Sequence, residues 1–218
     1  MAASESETVQ LPPAAGVRPE AERLTIRSSE RVAVVGKTGS GKTFWCLSLL
    51  APCNRLIVCD AKGKIDRDRW GLTDWESGKS ELMKGKPARL RVPPALSADE
   101  WDNYFWEFYR CPCTTVYIDE LSSAGRATEG TGFRALLTRG REFDIGVVMS
   151  MQRPASIPLE ALSEAEWFTM FQIRIEDDVK RMSKLIGASA FRPLPKYHYL
   201  LYNDGMDRPL FCKPLPFE

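Results

Sequence analysis

The sequence predicts an α/β fold, a mostly parallel sheet covered by helices on both faces, and three observations carry that expectation. Residues 31–50, RVAVVGKTGSGKTFWCLSLL, set a buried strand, a glycine-rich turn and the start of an apolar helix in immediate succession. Apolar runs of strand length recur at 55–59 (RLIVC), 114–118 (TTVYI) and 145–150 (IGVVMS), each followed by polar or charged residues. Segments of helical period separate them. Parallel strands buried on both faces read as continuous apolar runs, whereas a half-exposed strand would alternate.

A chain of 218 residues favours one such domain with a small appendage and is long enough to bury a full core. Residues 1–22 mix Ser, Glu, Pro and Ala without hydrophobic periodicity, so they are expected to be a flexible arm ahead of a single domain over 23–218. Residues 24–29 read as an edge strand or a lead-in, with Ser28-Ser29-Glu30 as its turn. After the first buried strand, 32–35, the residues Gly36, Gly41, Lys42 and Thr43 complete G-x-x-x-x-G-K-S/T, with Lys37, Thr38, Gly39 and Ser40 between. Such a loop binds phosphate. Glycines let backbone N–H groups curl around the anion, the lysine reaches the β/γ-phosphates, the hydroxyl serves Mg²⁺, and the helix N-terminus adds its dipole.

The second strand, 55–59, ends in Asp60-Ala61-Lys62-Gly63-Lys64 and a mixed-charge run, as expected where a parallel strand opens on a ligand crevice. Residues 89–92 read as a short edge strand stopped by Pro93-Pro94. Residues 97–110 read as a helix with Ser97 as N-cap and Glu100 as capping-box partner. Trp101, Phe105 and Phe108 share one face of it and Tyr104, Trp106 and Tyr109 spread over others, so core packing is the first reading and a subunit contact the second. The third strand, 114–118, runs straight into Asp119-Glu120. Two acids at the end of an apolar strand are costly to bury without a task. Beside a phosphate loop the first suits Mg²⁺ and the second suits taking a proton from an attacking water; a strand end followed by an acidic helix start is the plainer alternative.

A glycine-punctuated loop, 122–132, leads to a helix at 133–138 ending in Arg139-Gly140-Arg141, and the fourth strand, 145–150, ends in Met151-Gln152-Arg153-Pro154. Residues 166–173 read as a fifth strand, 176–186 as an amphipathic helix stopped by Gly187, and 197–202 with 208–213 as a hairpin across Asn203-Asp204-Gly205, a terminal unit spanning 196–213. The lone His198 lies in that hairpin, far in sequence from every acid named, and no catalytic role is expected of it. Internal repeats, zinc-ligand spacing and a Ser/His/Asp set are absent from the sequence.

The net charge of +1 gives no global electrostatic clue, so any basic surface for a nucleic acid must be local. Six cysteines, at 46, 53, 59, 111, 113 and 212, sit mostly in apolar runs and are expected to be reduced, buried thiols of a cytoplasmic protein. No apolar run approaches the length of a membrane span.

Four pieces now stand in order: GKTGSGKT at 36–43, VCDAKGK at 58–64, VYIDEL at 116–121 and LTRGREFDIGVVMSMQRP at 137–154. Over about residues 31–187 the chain thereby resembles the HerA–FtsK superfamily of P-loop ATPases, and within it the genome-packaging ATPases of membrane-containing and archaeal-type icosahedral viruses. The first piece, Walker A, is general and the acidic pair, Walker B, is shared by many ATPases. The arginine-glycine-arginine, apolar strand and Gln-Arg-Pro sequence is the specific part. The resemblance implies a RecA-like core of the additional-strand, catalytic-glutamate type. It implies that Lys42 and Thr43 serve the phosphates and Mg²⁺ of ATP, Asp119 the Mg²⁺, and Glu120 the activation of water. Gln152 matches a polar sensor on a strand between the P-loop strand and the acidic strand. Arg139 and Arg141 match the position from which a neighbouring subunit offers an arginine finger, Arg141 being favoured as nearer that strand, with a solvated helix end as the alternative. ATP is inferred over GTP because the guanine-reading Asn-Lys-x-Asp is absent.

The function implied is an ATP-driven motor on double-stranded DNA, in a homo-oligomeric ring expected to be a hexamer, with a capsid or vertex protein as further partner and the host cytoplasm or virion as its place. About thirty residues precede the P-loop strand and about thirty follow the last family helix, a layout nearer the viral packaging branch than cellular translocases, which carry added domains. Lys62, Lys64, Arg67 and Arg69 are the candidate DNA grip, since phosphate contacts need cations and no sequence code. A surface charge run mixed with Asp66 and Asp68 is an equal alternative. Competing functions are a cellular-type translocase of the same superfamily, a small-molecule kinase, against which Gln152-Arg153-Pro154 argues, and a nucleotide-dependent assembly switch.

Overall fold

The structure, a computed structural model, describes residues 8–10, 24–94, 97–187 and 193–216. Three residues of the expected arm are a strand: β1 (Thr8–Gln10) pairs antiparallel with β2 (Thr25–Arg27), and the rest of 1–22 lies outside the described residues. β3 (Arg31–Val35) is buried along its whole length and feeds the phosphate loop and α1 (Lys42–Leu49). β4 (Arg55–Asp60) leads through α2 (Arg67–Trp70), β5 (Thr73–Asp74) and α3 (Trp75–Met83) to β6 (Ala88–Val92). Then come α4 (Ala98–Tyr109), β7 (Thr115–Asp119), a 3₁₀ stretch at Leu121–Glu129, α5 (Thr131–Thr138), a 3₁₀ turn at Gly140–Phe143 and β8 (Gly146–Met151). α6 (Leu159–Ser163), β9 (Trp167–Met170), α7 (Glu176–Ile186), β10 (Tyr199–Asn203) and β11 (Leu210–Cys212) complete the chain.

Among the described residues, nine strands form one sheet in the order β11-β10-β9-β3-β8-β7-β4-β6-β5. From β9 to β5 the pairings are parallel, and β10 and β11 add antiparallel. The α/β expectation with helices on both faces is met. Strand side chains alternate between the faces, so Val32 and Val34 pack with Trp45 and Leu49 of α1, while Ala33 and Val35 belong to the core under α3, α4, α5, α6 and α7. The centre of that second core is α4. Ser97 Oγ accepts from the Glu100 N–H at 3.1 Å to start the helix, and Trp101, Phe105 and Phe108 are buried as their spacing requires. The Phe105 ring lies 5.1 Å from that of Phe133, and Phe108 meets Trp75 edge-on at 5.3 Å.

Three expectations are corrected. Residues 89–92 are not the sheet edge, because the two-residue β5 lies outside them. α2 and α3 escape the sequence reading: α2 is one turn, capped by Asp66 and closed by Gly71 at φ 59°, and α3 buries only Trp75 and Leu82 among charged and small residues, too few to show a period. Of the six cysteines, all free, Cys113 is exposed and in a left-handed turn at φ 53°, whereas the other five are buried as expected.

Truncating Phe105, which has no exposed surface, removes the ring that α3, α4 and α5 share. Phe105→Ala should lower the stability of the domain by about 3–5 kcal/mol in chemical denaturation, with the far-UV spectrum of the native state retained.

Candidate nucleotide site

The carboxyl ends of β3, β8 and β7 lie side by side, so the loop after the first, Gln152 after the second and the acids of the third emerge at one edge of the sheet. The loop is fastened on both sides. Gly36 N–H donates to the Met151 carbonyl at 3.2 Å and Lys37 N–H to the Gln172 carbonyl at 3.3 Å. A Cβ on Gly36 would stand 2.6 Å from that of Phe171, which is why a side chain is excluded there. The Lys42 ammonium, buried within the loop, donates to the carbonyls of Gly36 at 2.7 Å and Lys37 at 3.1 Å. Burial lowers its pKa, and the Glu120 and Asp119 charges oppose that shift.

Asp119 Oδ1 accepts three hydroxyls: Thr43 Oγ1 at 3.0 Å, Tyr117 Oη at 2.7 Å and Ser150 Oγ at 3.0 Å. Thr43 and Asp119 are hard oxygen donors in contact at the loop, a set that suits a divalent cation whose other ligands are phosphate and water oxygens. Among the described residues no cluster of three or more His, Cys, Asp or Glu could hold a metal on its own. Tyr117 and Ser150 were not singled out in the sequence. The signal for Ser150 was legible, since it is the one hydroxyl residue in the apolar run 145–151 and is fully buried.

At Glu120 the backbone turns left-handed, φ 59° and ψ 71°, a conformation that a non-glycine residue holds only against a cost. Its N–H donates to Ser150 Oγ at 3.0 Å. The carboxylate is nearly enclosed. Oε1 accepts from Ser122 Oγ at 2.7 Å and from Gln152 N–H at 3.3 Å, and Oε2 accepts from Lys62 Nζ at 3.2 Å and from Gln152 Nε2. Burial pushes its pKa up, but hydrogen bonds from Ser122, Gln152 and Lys62, with the Lys62 charge, outweigh that and leave it below the ordinary glutamate value. Gln152 Oε1 in turn accepts from Thr38 Oγ1 at 2.6 Å, so one amide spans from the phosphate loop to the acid.

The remaining candidates are not gathered here. Lys62, expected on DNA, is on Glu120 instead. Arg67 chelates Asp74 at 2.6 and 2.7 Å, and Arg69 lies over the rings of Phe44 and Trp70 at 5.8 and 5.4 Å. Lys64 is exposed. Arg139 and Arg141 precede β8, at the end of the sheet opposite the phosphate loop. Arg141 is paired with Glu164 at 3.4 Å and Glu166 at 3.3 Å, while Arg139 is exposed. Arg153 of the Gln-Arg-Pro sequence is tied to the buried Asp178 of α7 at 2.8 Å, a strut rather than a ligand group. His198 stacks on Phe211 at 5.3 Å.

A parallel sheet with a phosphate loop on one strand, an acid pair two strands away and a glutamine on the strand between them defines a P-loop NTPase fold of the additional-strand, RecA-like kind. The chain is 27% identical over 216 residues to the DNA packaging ATPase P9 of Enterobacteria phage PRD1, covering 88% of this chain and 92% of that one. Its fold matches that of the genome packaging NTPase B204 from Sulfolobus turreted icosahedral virus 2 in complex with ATP-gammaS, with a TM-score of 0.68 at 19% identity over 88% of this chain and 100% of the other. EssC (ATPases 2 and 3) from Geobacillus thermodenitrificans matches with a TM-score of 0.58 at 12% identity over 97% of this chain and 45% of that one. No protein-family model matches the chain. The resemblance to viral genome-packaging ATPases is borne out by the match to P9, and the solved structures bear out the fold.

Ser150 tests how the acids are held. Ser150→Ala should leave the Glu120 N–H buried without its acceptor and Asp119 with two hydroxyls, costing about 1–3 kcal/mol of stability by urea unfolding.

Proposed function

We propose that this chain is an ATP-hydrolysing motor that moves double-stranded DNA, packaging a viral genome into a preformed capsid. The observation that supports the reading is the Thr38–Gln152–Glu120 chain of contacts, which links the phosphate loop to the side chains we read as polar sensor and general base. The likeness to packaging ATPases supplies the substrate.

In this reading Lys42 exchanges its two loop carbonyls for the β/γ-phosphates of ATP, and Thr43 with Asp119 holds Mg²⁺. The metal, when bound, neutralises charge on the phosphates. Gln152 orients a water against the γ-phosphorus. The water oxygen bonds to that phosphorus, the bond to the β,γ-bridging oxygen breaks, and the water's proton passes to Glu120. The lowered pKa keeps Glu120 ionised at neutral pH, as a base requires. The subunits form a ring, a hexamer in this proposal, in the host cytoplasm and at a capsid vertex. A neighbour's arginine then completes each site. Of the two candidates Arg139 is the one that can be offered without breaking ion pairs, since Glu164 and Glu166 hold Arg141. Of the four loop cations, Lys64 is the one that DNA phosphates can engage without displacing a contact described above.

The test is ATP hydrolysis by purified protein with and without duplex DNA, beside its mass in solution. Stimulation by DNA and a ring mass are expected. Phosphate appearing on an acceptor other than water would identify a kinase, and turnover indifferent to DNA would leave a nucleotide switch. Lys42→Ala should abolish nucleotide binding or turnover. Glu120→Gln should keep ATP bound while hydrolysis falls by about 10²-fold or more; collapse of ATP affinity in a folded mutant would make Glu120 a ligand or a prop instead of the base.

The arginine is tested by mixing. An Arg139→Ala subunit keeps its own Lys42, Thr43, Asp119 and Glu120, so it should bind ATP normally and fail only in serving its neighbour. Mixed with Glu120→Gln subunits, it should regain part of the lost hydrolysis, each mutant alone being inactive. Mixed rings, verified by pull-down, that stay inactive with both Arg139→Ala and Arg141→Ala would refute catalysis shared between subunits.

A further inference from the structure

Asp119, Glu120 and Gln152 stand on the β7 and β8 side of β3, which marks the end of the loop where the terminal phosphate lies in the reading above. A nucleotide laid along the loop therefore extends its remaining length to the other side, toward β9 and β10. An aromatic wall stands there. A Cβ on Gly41, the loop's last glycine, would come 3.4 Å from Tyr197 Cδ1 and 3.6 Å from Phe171 Cε1, so both rings lie against the backbone where α1 begins. Phe171 is buried and braced on Tyr199, ring centroids 5.5 Å apart.

Tyr197 differs from Phe171 in two respects. It is half-buried, and its backbone is left-handed at φ 63°, a strained state for a tyrosine that surrounding contacts must enforce. A turn closed by the His198 N–H on the Pro195 carbonyl at 3.1 Å holds that conformation. Gln172, whose carbonyl takes the Lys37 N–H, also accepts the Leu194 N–H on its side-chain oxygen at 2.6 Å, so one residue ties the strap carrying Tyr197 to the phosphate loop. The ring is also reached by a cation, since Lys196 Nζ lies 4.8 Å from its centroid.

We propose that Tyr197 is the platform on which the base of the bound nucleotide stacks, beside Phe171 where both rings meet the backbone at Gly41. The inference rests on the nucleotide reading and adds to it the residue that takes the base. Every nucleobase offers a π-face, so stacking there strengthens binding without distinguishing adenine from guanine. The same strap couples the platform to the phosphate cradle, which keeps the distance from base to γ-phosphate fixed.

Calorimetric binding of ATP, GTP and inorganic tripolyphosphate, which has no base, tests this. Tyr197→Ala should weaken ATP and GTP alike by about tenfold and leave tripolyphosphate unchanged, and Tyr197→Phe should bind all three as the native protein does. Unaltered ATP affinity in Tyr197→Ala would overturn the proposal. So would equal losses for ATP and tripolyphosphate, which would make Tyr197 a prop for Gly41. Native protein that binds none of the three, or tripolyphosphate binding indifferent to Lys42→Ala, would overturn the phosphate-loop reading itself and the platform with it. That pattern is distinct from a failure confined to Tyr197.

Discussion

One oxygen atom, Asp119 Oδ1, holds the site together. It takes hydroxyls from the helix after the phosphate loop, from its own strand and from the strand between them. Each hydroxyl is positioned by a different element, so the three satisfy one buried carboxylate only if β3, β7 and β8 keep their relative register. A buried charge is tolerated when hydrogen bonds surround it. Here those bonds also align the loop with the acids. Ser150 serves twice, giving its proton to Asp119 and taking one from the Glu120 backbone, so the strained turn at Glu120 depends on the same alignment.

As the general base of the proposed mechanism, Glu120 would meet opposing demands. Enclosure raises the cost of its charge, and the contacts from Ser122, Gln152 and Lys62 compensate. A base held so fully has both oxygens engaged before any water arrives. Gln152 is the partner best able to yield, because its other end already rests on the phosphate loop through Thr38, where nucleotide phosphate competes for the same hydroxyl. In the proposed mechanism, occupation of the loop and release of Glu120 would thus be coupled through one side chain.

Much of this was legible in the sequence, and what was missed has a common physical cause. That residues 36–43, Asp119, Glu120 and Gln152 come together could be read because each lies at the end of a strand whose apolar run is long enough to be read, and parallel strands deliver their ends to one edge. The hydroxyl of Tyr117 is interior to such a run and carries no periodic signal, whereas Ser150, the one hydroxyl residue of its run, could have been read. The Lys62–Glu120 pair was not legible for another reason: a lysine in a short charged loop looks the same in sequence whether it faces solvent or reaches back over the strand end. α3 was hidden because two buried residues seven apart, Trp75 and Leu82, with Gly78 between, are too sparse to establish a helical period. Arg153, next to Gln152 in the motif, is spent on Asp178, a partner 25 residues away in sequence that no local pattern announces.

The two ends of the large sheet are both short, three residues in β11 and two in β5. An unpaired strand edge can recruit a strand from another molecule, and the number of backbone bonds on offer sets how firmly it does so. Among the described residues, the outermost strands of the large sheet therefore offer copies of this chain few backbone bonds for joining sheet to sheet. In the proposed ring, contact between subunits would fall to helix faces and loops, which can slide and re-form. For an assembly whose members must shift against one another at every cycle, a strand-to-strand seam would be a weld.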